Sequence, residues 1–302
     1  MENDLSLGAA WMNGTVIPIS QAKIPVNDWG LVHSDITYDV VPVIDGAFFR
    51  FDKYLARFLS SMENLHLDPG MNKRDIQAAL HQMVSKSSLR DSYVAMVCSR
   101  GKPKIAGSRD PRDCENHFFA WCVPYVHIIK PEIVKQGATA WIAQNAYRIP
   151  ENSVNPLVKN YHWGDFTQGI FEAKDKNYET VILLDYDGNV TEGPGFNVFA
   201  VKDKVLITPD KGVLAGVSRK TVLEMAEHLG INTSVRSLSV EELLEADEVF
   251  LSSSGGGVIP IIRVNETIFG NGASGPISVQ LNETYWKWTT LEKYRDPIDY
   301  AL

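Results

Sequence analysis

Apolar residues along this chain switch between the two-residue period of strands and the wider period of helices. An Asn13-Gly14 pair splits residues 10–19 into a hairpin, and Asp45-Gly46 joins a strand over Tyr38–Ile44 to one over Ala47–Phe51. Tyr54, Leu55, Phe58, Leu59, Met62 and Leu65 recur at helical spacing and predict a helix over 52–65, with a second over about 72–88. The apolar runs Tyr93–Ser99 and His117–Val123 are expected strands of the same first domain. Residues 124–136 carry two prolines and mixed polarity and are read as an interdomain linker. A strand over Ala138–Ala146, a helix over about 163–176, a strand over Thr180–Asp185, a turn at Asp187-Gly188-Asn189 and strands through 190–207 follow. Val217–Leu229 has a strong helical apolar face that Gly230 stops. A strand, a short helix at 239–245 and a strand at 247–252 lead into Ser252–Gly257. Strands and helices without strict alternation predict an α+β protein: a small domain over 1–123 and a larger one over 137–302.

Composition narrows the function. The chain has 302 residues, 44% of them hydrophobic and 22% charged, enough for a sizeable core. A net charge of −8 with no basic run argues against nucleic acid or an anionic membrane as partner. Prolines interrupt the longest apolar stretches, and the first ten residues lack a basic leader, so a cytoplasmic protein is expected. Cys98, Cys114 and Cys122 form no CxxC pair, and Cys98 and Cys122 read as inert core thiols of a reducing compartment. The histidines show no metal-ligand spacing, and no metal site is expected.

The candidate chemistry centres on Lys159, in Val158-Lys159-Asn160-Tyr161-His162-Trp163-Gly164-Asp165. Most lysines are solvated. Here apolar and aromatic neighbours favour a neutral, nucleophilic amine. Glu192 lies in Thr191-Glu192-Gly193-Pro194-Gly195-Phe196-Asn197, either as a turn acid facing water or as a partner for a flat protonated ring. Gly216-Val217-Ser218 opens a helix and reads equally as a phosphate cradle or a plain N-cap. The Ser252–Gly257 stretch, with Ser253 and Ser254, reads as a second phosphate loop or a connector. Arg57 sits one turn from apolar neighbours, pointing either inward to the phosphate or out to solvent. An amine, an acid and an anion cradle are what pyridoxal 5'-phosphate requires.

Together these segments resemble the fold-type-IV pyridoxal-phosphate enzymes, from about Ala10 to Tyr285. The group includes branched-chain and D-amino-acid aminotransferases, aminodeoxychorismate lyases and (R)-selective amine transaminases. His33-Ser34-Asp35-Ile36-Thr37-Tyr38-Asp39-Val40 and the Trp163-Gly164-Asp165 after the lysine are most similar to the (R)-selective amine transaminases. The resemblance implies a small N-terminal α/β domain, a larger C-terminal pseudo-barrel domain, and a homodimer with its site between the domains. It implies that Lys159 makes the Schiff base and shuttles the proton, that Glu192 pairs with the ring nitrogen, and that Arg57, Val217, Ser218 and Ser254 bind phosphate. It implies substrate pockets lined by His33, Tyr38, Val40, Tyr93 and Trp163. Relatives that accept keto acids use a loop arginine, for which Arg109 is chosen here and Arg112 stands second. The expected activity is transfer of an amino group from an (R)-amine to a keto acid such as pyruvate. The alternatives are a D-amino-acid or branched-chain aminotransferase, an aminodeoxychorismate-type lyase, and a non-enzymatic cofactor-binding protein.

Overall fold

The computed structural model describes residues 4–301. Its contacts divide the chain into two compact units, neither contiguous in sequence. One holds the residues up to Val126, Val158–His162 and the segment from Thr289 on; the other holds His127–Leu157 and Trp163–Trp288.

The first unit is built on an antiparallel sheet. Its strands are β1 (Ala9–Met12), β2 (Thr15–Pro18), β3 (Ile36–Ile44), β4 (Ala47–Phe49), β5 (Ser92–Pro103), β6 (Cys114–Pro124) and, last in the chain, β16 (Arg295–Pro297). They lie in the order β16-β4-β3-β5-β6-β1-β2. Both expected hairpin turns form, with positive φ at Asn13, Gly14, Asp45 and Gly46, the geometry that suits the twist of the flanking strands. A short helix α1 (Trp29–Val32) precedes β3, and α2 (Phe51–Asn64) and α3 (Lys73–Ser87) follow β4. The second expected strand thus ends at Phe49, and Phe51 already opens the helix, which packs Phe51, Tyr54, Leu55, Phe58 and Met62 inward. Asn72 and Asp75 cap α3 reciprocally.

The second unit begins inside the stretch read as a linker. Residues 131–136 form a helical turn, α4 (Pro131–Gln136), with proline at its start where a missing N–H costs nothing. Ile129 is buried, and Ile128, Ile133 and Val134 pack on the unit's core, so apolar anchoring overrides the loop-like composition. The sheet is mixed and nine-stranded: β7 (Ala138–Tyr147), β8 (Thr180–Leu184), β9 (Glu192–Gly193), β10 (Phe196–Lys202), β11 (Val205–Thr208), β12 (Thr233–Val235), β13 (Glu248–Ser253), β14 (Gly257–Val264) and β15 (Thr267–Ile268). Its main path runs β12-β11-β10-β13-β14-β7-β8, with β9 on β10 and β15 on β14. Helices α5 (Gly164–Asp175), α6 (Val217–His228), α7 (Val240–Leu244) and α8 (Pro276–Trp288) accompany it. Val198, Leu251, Ile259 and Ile261 are among the residues filling the core. Beyond residue 257 the sequence reading assigned no elements. Ile277, Leu281, Tyr285 and Trp288 nonetheless recur at helical spacing, and the last three are buried in α8.

Candidate functional site

The candidate residues fall into two groups, one in each unit. In the first unit, residues 158–162 are sewn onto β3. Thr37 and Asn160 form an antiparallel bridge, Tyr38 N–H donates to the Lys159 carbonyl at 3.2 Å, and the Thr37 hydroxyl donates to the same oxygen at 2.6 Å. The Lys159 N–H donates to Ser61 Oγ on α2 at 3.4 Å. This fixes the lysine main chain and sets its Nζ 4.5 Å from the centre of the Tyr38 ring. Tyr38 stacks on Tyr161 at 4.2 Å with the planes 11° apart.

Strand pairing extends this into an aromatic wall. Tyr38 pairs with Val97, which pairs with Phe119; Val40 pairs with Ala95, which pairs with Trp121. Residues opposite one another across a ladder share a face, and Tyr93 stacks on Trp121 there at 5.5 Å. Burial, and then the neighbouring Tyr38, push the Tyr93 and Tyr161 phenols above their ordinary range, so both stay neutral. On the other face of β3, fully buried Asp39 takes two hydrogen bonds from Arg57, at 2.8 and 2.7 Å. Burial opposes the Arg57 charge, but this pair outweighs it and raises the arginine's pKa. Arg57 therefore points inward rather than out to solvent, with Asp39 as an unforeseen partner.

The loop candidates are placed differently. His33 is exposed, its ring 4.6 Å from Trp29. Arg109 is exposed, and Arg112 is exposed and bonded to Asp110 at 2.9 and 3.0 Å through Nε. Elsewhere in the first unit Asp28, almost fully buried, accepts hydrogen bonds from Gly30 N–H at 2.8 Å and from the Ser99 hydroxyl, and pairs with His117 Nε2 at 2.6 Å.

In the second unit Glu192 is buried on β9 opposite Asn197. Its Oε1 accepts from Arg148 Nε at 3.1 Å; its Oε2 accepts from Leu214 N–H at 2.9 Å and Asn197 Nδ2 at 3.3 Å. Of its two expected readings, the exposed turn acid is therefore excluded. Gly193 is required by close approach: a Cβ there would lie 2.3 Å from the Val181 carbonyl and 2.2 Å from the Phe196 ring. Gly216 caps α6, and its Cβ would lie 2.1 Å from Asn197 Oδ1. Val217 and Ser218 are buried in the first turn of α6, and Ser218 Oγ lies 3.5 Å from Tyr285 OH. Ser253 Oγ donates to Gly195 O at 2.8 Å and accepts from Gly255 N–H at 3.1 Å; Ser254 is half-buried beside it. Trp163 packs edge-on against Phe166 at 5.4 Å. Arg219 is buried on α6 and bonds Thr208 Oγ1 and Pro209 O; burial lowers its pKa against the opposing pull of Glu192 and Asp210.

Sequence reasoning missed Arg148, Asn197, Asp39, Phe119 and Trp121. The two aromatics were recoverable, because they alternate along an apolar strand with the periodicity of one face. The two partnerships were not, since ion pairs across 44 and 18 residues leave no local signal.

Residues 37–264 match a known family, the one described as class IV of the amino-transferases. The chain belongs to amino-transferase class IV. A putative branched-chain-amino-acid aminotransferase of Methanocaldococcus jannaschii is 27% identical over 91% of this chain and 94% of its own. A D-alanine aminotransferase of Bacillus licheniformis is 28% identical over 88% and 92%. The solved branched-chain amino acid aminotransferase of Thermobaculum terrenum, in its pyridoxal-phosphate form, superposes with a TM-score of 0.85 at 23% identity, over 99% of this chain and all of that one. This class IV chain is accordingly a pyridoxal-phosphate-dependent transaminase with the fold-type-IV, α+β architecture. Among its described residues no helix is long and apolar enough to cross a membrane.

Proposed function

We propose that the protein moves an amino group from an (R)-amine to a keto acid such as pyruvate, as a cytoplasmic homodimer. The observation that carries this reading is the aromatic wall beside Lys159. Tyr38, Tyr93, Phe119, Trp121 and Tyr161, with Val40, Ala95 and Val97, offer apolar contact to a hydrophobic amine. A substrate carboxylate on that face would need a guanidinium brought to it, whereas a hydrophobic amine needs none. Arg57 is engaged by Asp39 on the opposite face, and Arg109 and Arg112 are exposed. The three free thiols suit a reducing compartment.

The remaining roles follow from the chemistry of each group. Pyridoxal phosphate, when bound, supplies the electron sink for the bond broken at the substrate carbon. The second unit's residues fit such a group: an anchored buried carboxylate, a helix N-terminus without a side-chain cap, and a buried Ser252 hydroxyl with no hydrogen-bond partner among the described residues. Lys159 is assigned to hold the cofactor and to carry the proton at Nζ, and Glu192 to keep the ring nitrogen protonated. Gly216, Val217, Ser218, Ser253, Ser254 and Arg57 are assigned to the phosphate, while Tyr38, Val40, Tyr93, Trp163 and His33 shape the substrate pockets. Arg109 is assigned to the acceptor's carboxylate, swinging in from its exposed loop.

The test is single-turnover conversion of the cofactor to its amine form with each enantiomer of 1-phenylethylamine. The (R)-amine should react, and its mirror image should be slower by roughly ten- to a hundredfold, the scale of forcing a bulky group into the small pocket. Equal rates, or a faster (S)-amine, refute the reading. The names of the relatives favour a second one, an amino-acid aminotransferase. D-alanine or L-leucine outrunning both amines would establish it.

A further inference from the structure

Arg148 has no role in the assignments above, yet it ties Glu192 to the rest of its unit. It lies just past β7, where its N–H donates to the Leu184 carbonyl at 2.8 Å. The residue is buried at 8% exposure, its guanidinium 4.4 Å from the centre of the Phe166 ring. From there it bridges two carboxylates: Nε to Glu192 Oε1 at 3.1 Å and Nη1 to Asp165 Oδ2 at 2.6 Å. Asp165 is fixed in turn. Its Oδ2 also accepts from Ile149 N–H at 3.0 Å, and its Oδ1 accepts from Phe166 N–H at 2.8 Å. Arg219 on α6 also faces Glu192 but directs hydrogen bonds to Thr208 and Pro209.

Two buried carboxylates converging on one cation demand a planar fork whose nitrogens point in two directions. Arginine has that shape and lysine does not. A buried acid left without a cation drops its charge or changes its orientation. Glu192 is useful to a protonated ring nitrogen only if it is ionised and correctly aimed.

We propose that Arg148, held by Asp165, is a positioning residue for transamination. It keeps Glu192 charged and aimed, and so sets how firmly the enzyme holds the proton on the cofactor's ring nitrogen. The inference rests on the assignment of Glu192 to that nitrogen. It also gives the Asp165 of the Trp163-Gly164-Asp165 segment a task that is electrostatic rather than a matter of contact with substrate.

The test uses the holoenzyme loaded with pyridoxal phosphate carrying 15N in the ring, whose chemical shift reports protonation, together with the dissociation constant for the unlabelled cofactor. Glu192→Gln should move the nitrogen signal toward the unprotonated position. Arg148→Met should move it the same way and weaken cofactor binding by roughly tenfold or more, as for a buried ion pair that loses one partner. Arg148→Lys should recover part of both. In a Glu192→Gln background, Arg148→Met should change either readout by less than about twofold, because the residue through which it acts is gone. Should Arg148→Met fail to fold, Asp165→Asn keeps the shape of the anchor and should produce a smaller shift in the same direction. If Glu192→Gln moves the signal while neither Arg148→Met nor Asp165→Asn does, the role of Arg148 is overturned and that of Glu192 stands. Fully additive effects in the double variant would make Arg148 merely structural and overturn the proposal. An unmoved signal in Glu192→Gln would remove the Glu192 assignment, and this inference with it.

Discussion

The two groups of candidate residues hold their reactive side chains by opposite means. Around Lys159 the neighbours are rings, and the amine rests over Tyr38, backed by Tyr161. Around Glu192 the neighbours are charges and amides: Arg148, Asn197 and the Leu214 N–H, with Asp165 behind Arg148. Ring faces offer the amine apolar contact and a weak attraction for its charge. A dense hydrogen-bonded surround makes a buried carboxylate's charge affordable and fixes its direction. The assigned roles thus place a base among rings and an anion in a polar network.

The largest expected effect breaks the aromatic side. Lys159→Ala should cut transaminase turnover by roughly 10³-fold or more, since it removes the assigned acid–base group. Borohydride should then fix no cofactor to the peptide, as mass spectrometry of the digest would show; a label on another lysine would unseat Lys159. A smaller effect probes the polar side without touching a charge. Gly216→Ala places a methyl 2.1 Å from Asn197 Oδ1, and Asn197 bonds Glu192. Relieving that overlap should cost about 1–3 kcal/mol of stability in a urea melt and weaken cofactor binding. Unchanged melting would mean that the network gives way easily. The smallest effect belongs to a charged clamp of the first unit. Burial pushes the Asp28 carboxyl up, but the bonds from His117, Ser99 and Gly30 N–H outweigh it and hold its pKa below the ordinary value. A carboxyl depressed in the native state contributes stability above its unfolded pKa of about 3.9 and loses it as pH falls through the native value. Between pH 7 and acid, the native protein should therefore lose more stability below about pH 4 than Asp28→Asn does. Parallel acid limbs would show that the clamp carries no linked proton.

Local order along the chain was readable wherever a pattern repeats. The hairpins at Asn13-Gly14 and Asp45-Gly46, the apolar stripe of α2 and the Gly230 stop on α6 all depend on nearest neighbours, and all formed. The family that the Lys159, Glu192 and α6-entrance segments resemble is the one whose model matches residues 37–264. Other features could not be read locally. The turn at Pro131–Gln136 is stabilised by packing on a core assembled from distant strands, and its own composition says loop. The C-terminal strand β16 returns to pair with β4.

The sequence by itself determined the periodicities, the turns and the chemical types of the candidate residues: an amine among aromatics, an acid just ahead of two glycines, a helix with serine in its first turn. Only the tertiary structure decided who stands beside them. That Glu192 answers to Arg148 and Arg148 to Asp165, that Arg57 answers to Asp39, and that Phe119 and Trp121 join Tyr38 on one face all depend on long-range approach. The physical reason is range. Backbone propensity acts over a few residues, whereas the electrostatics of a buried group depend on every charge the fold brings within a few ångströms.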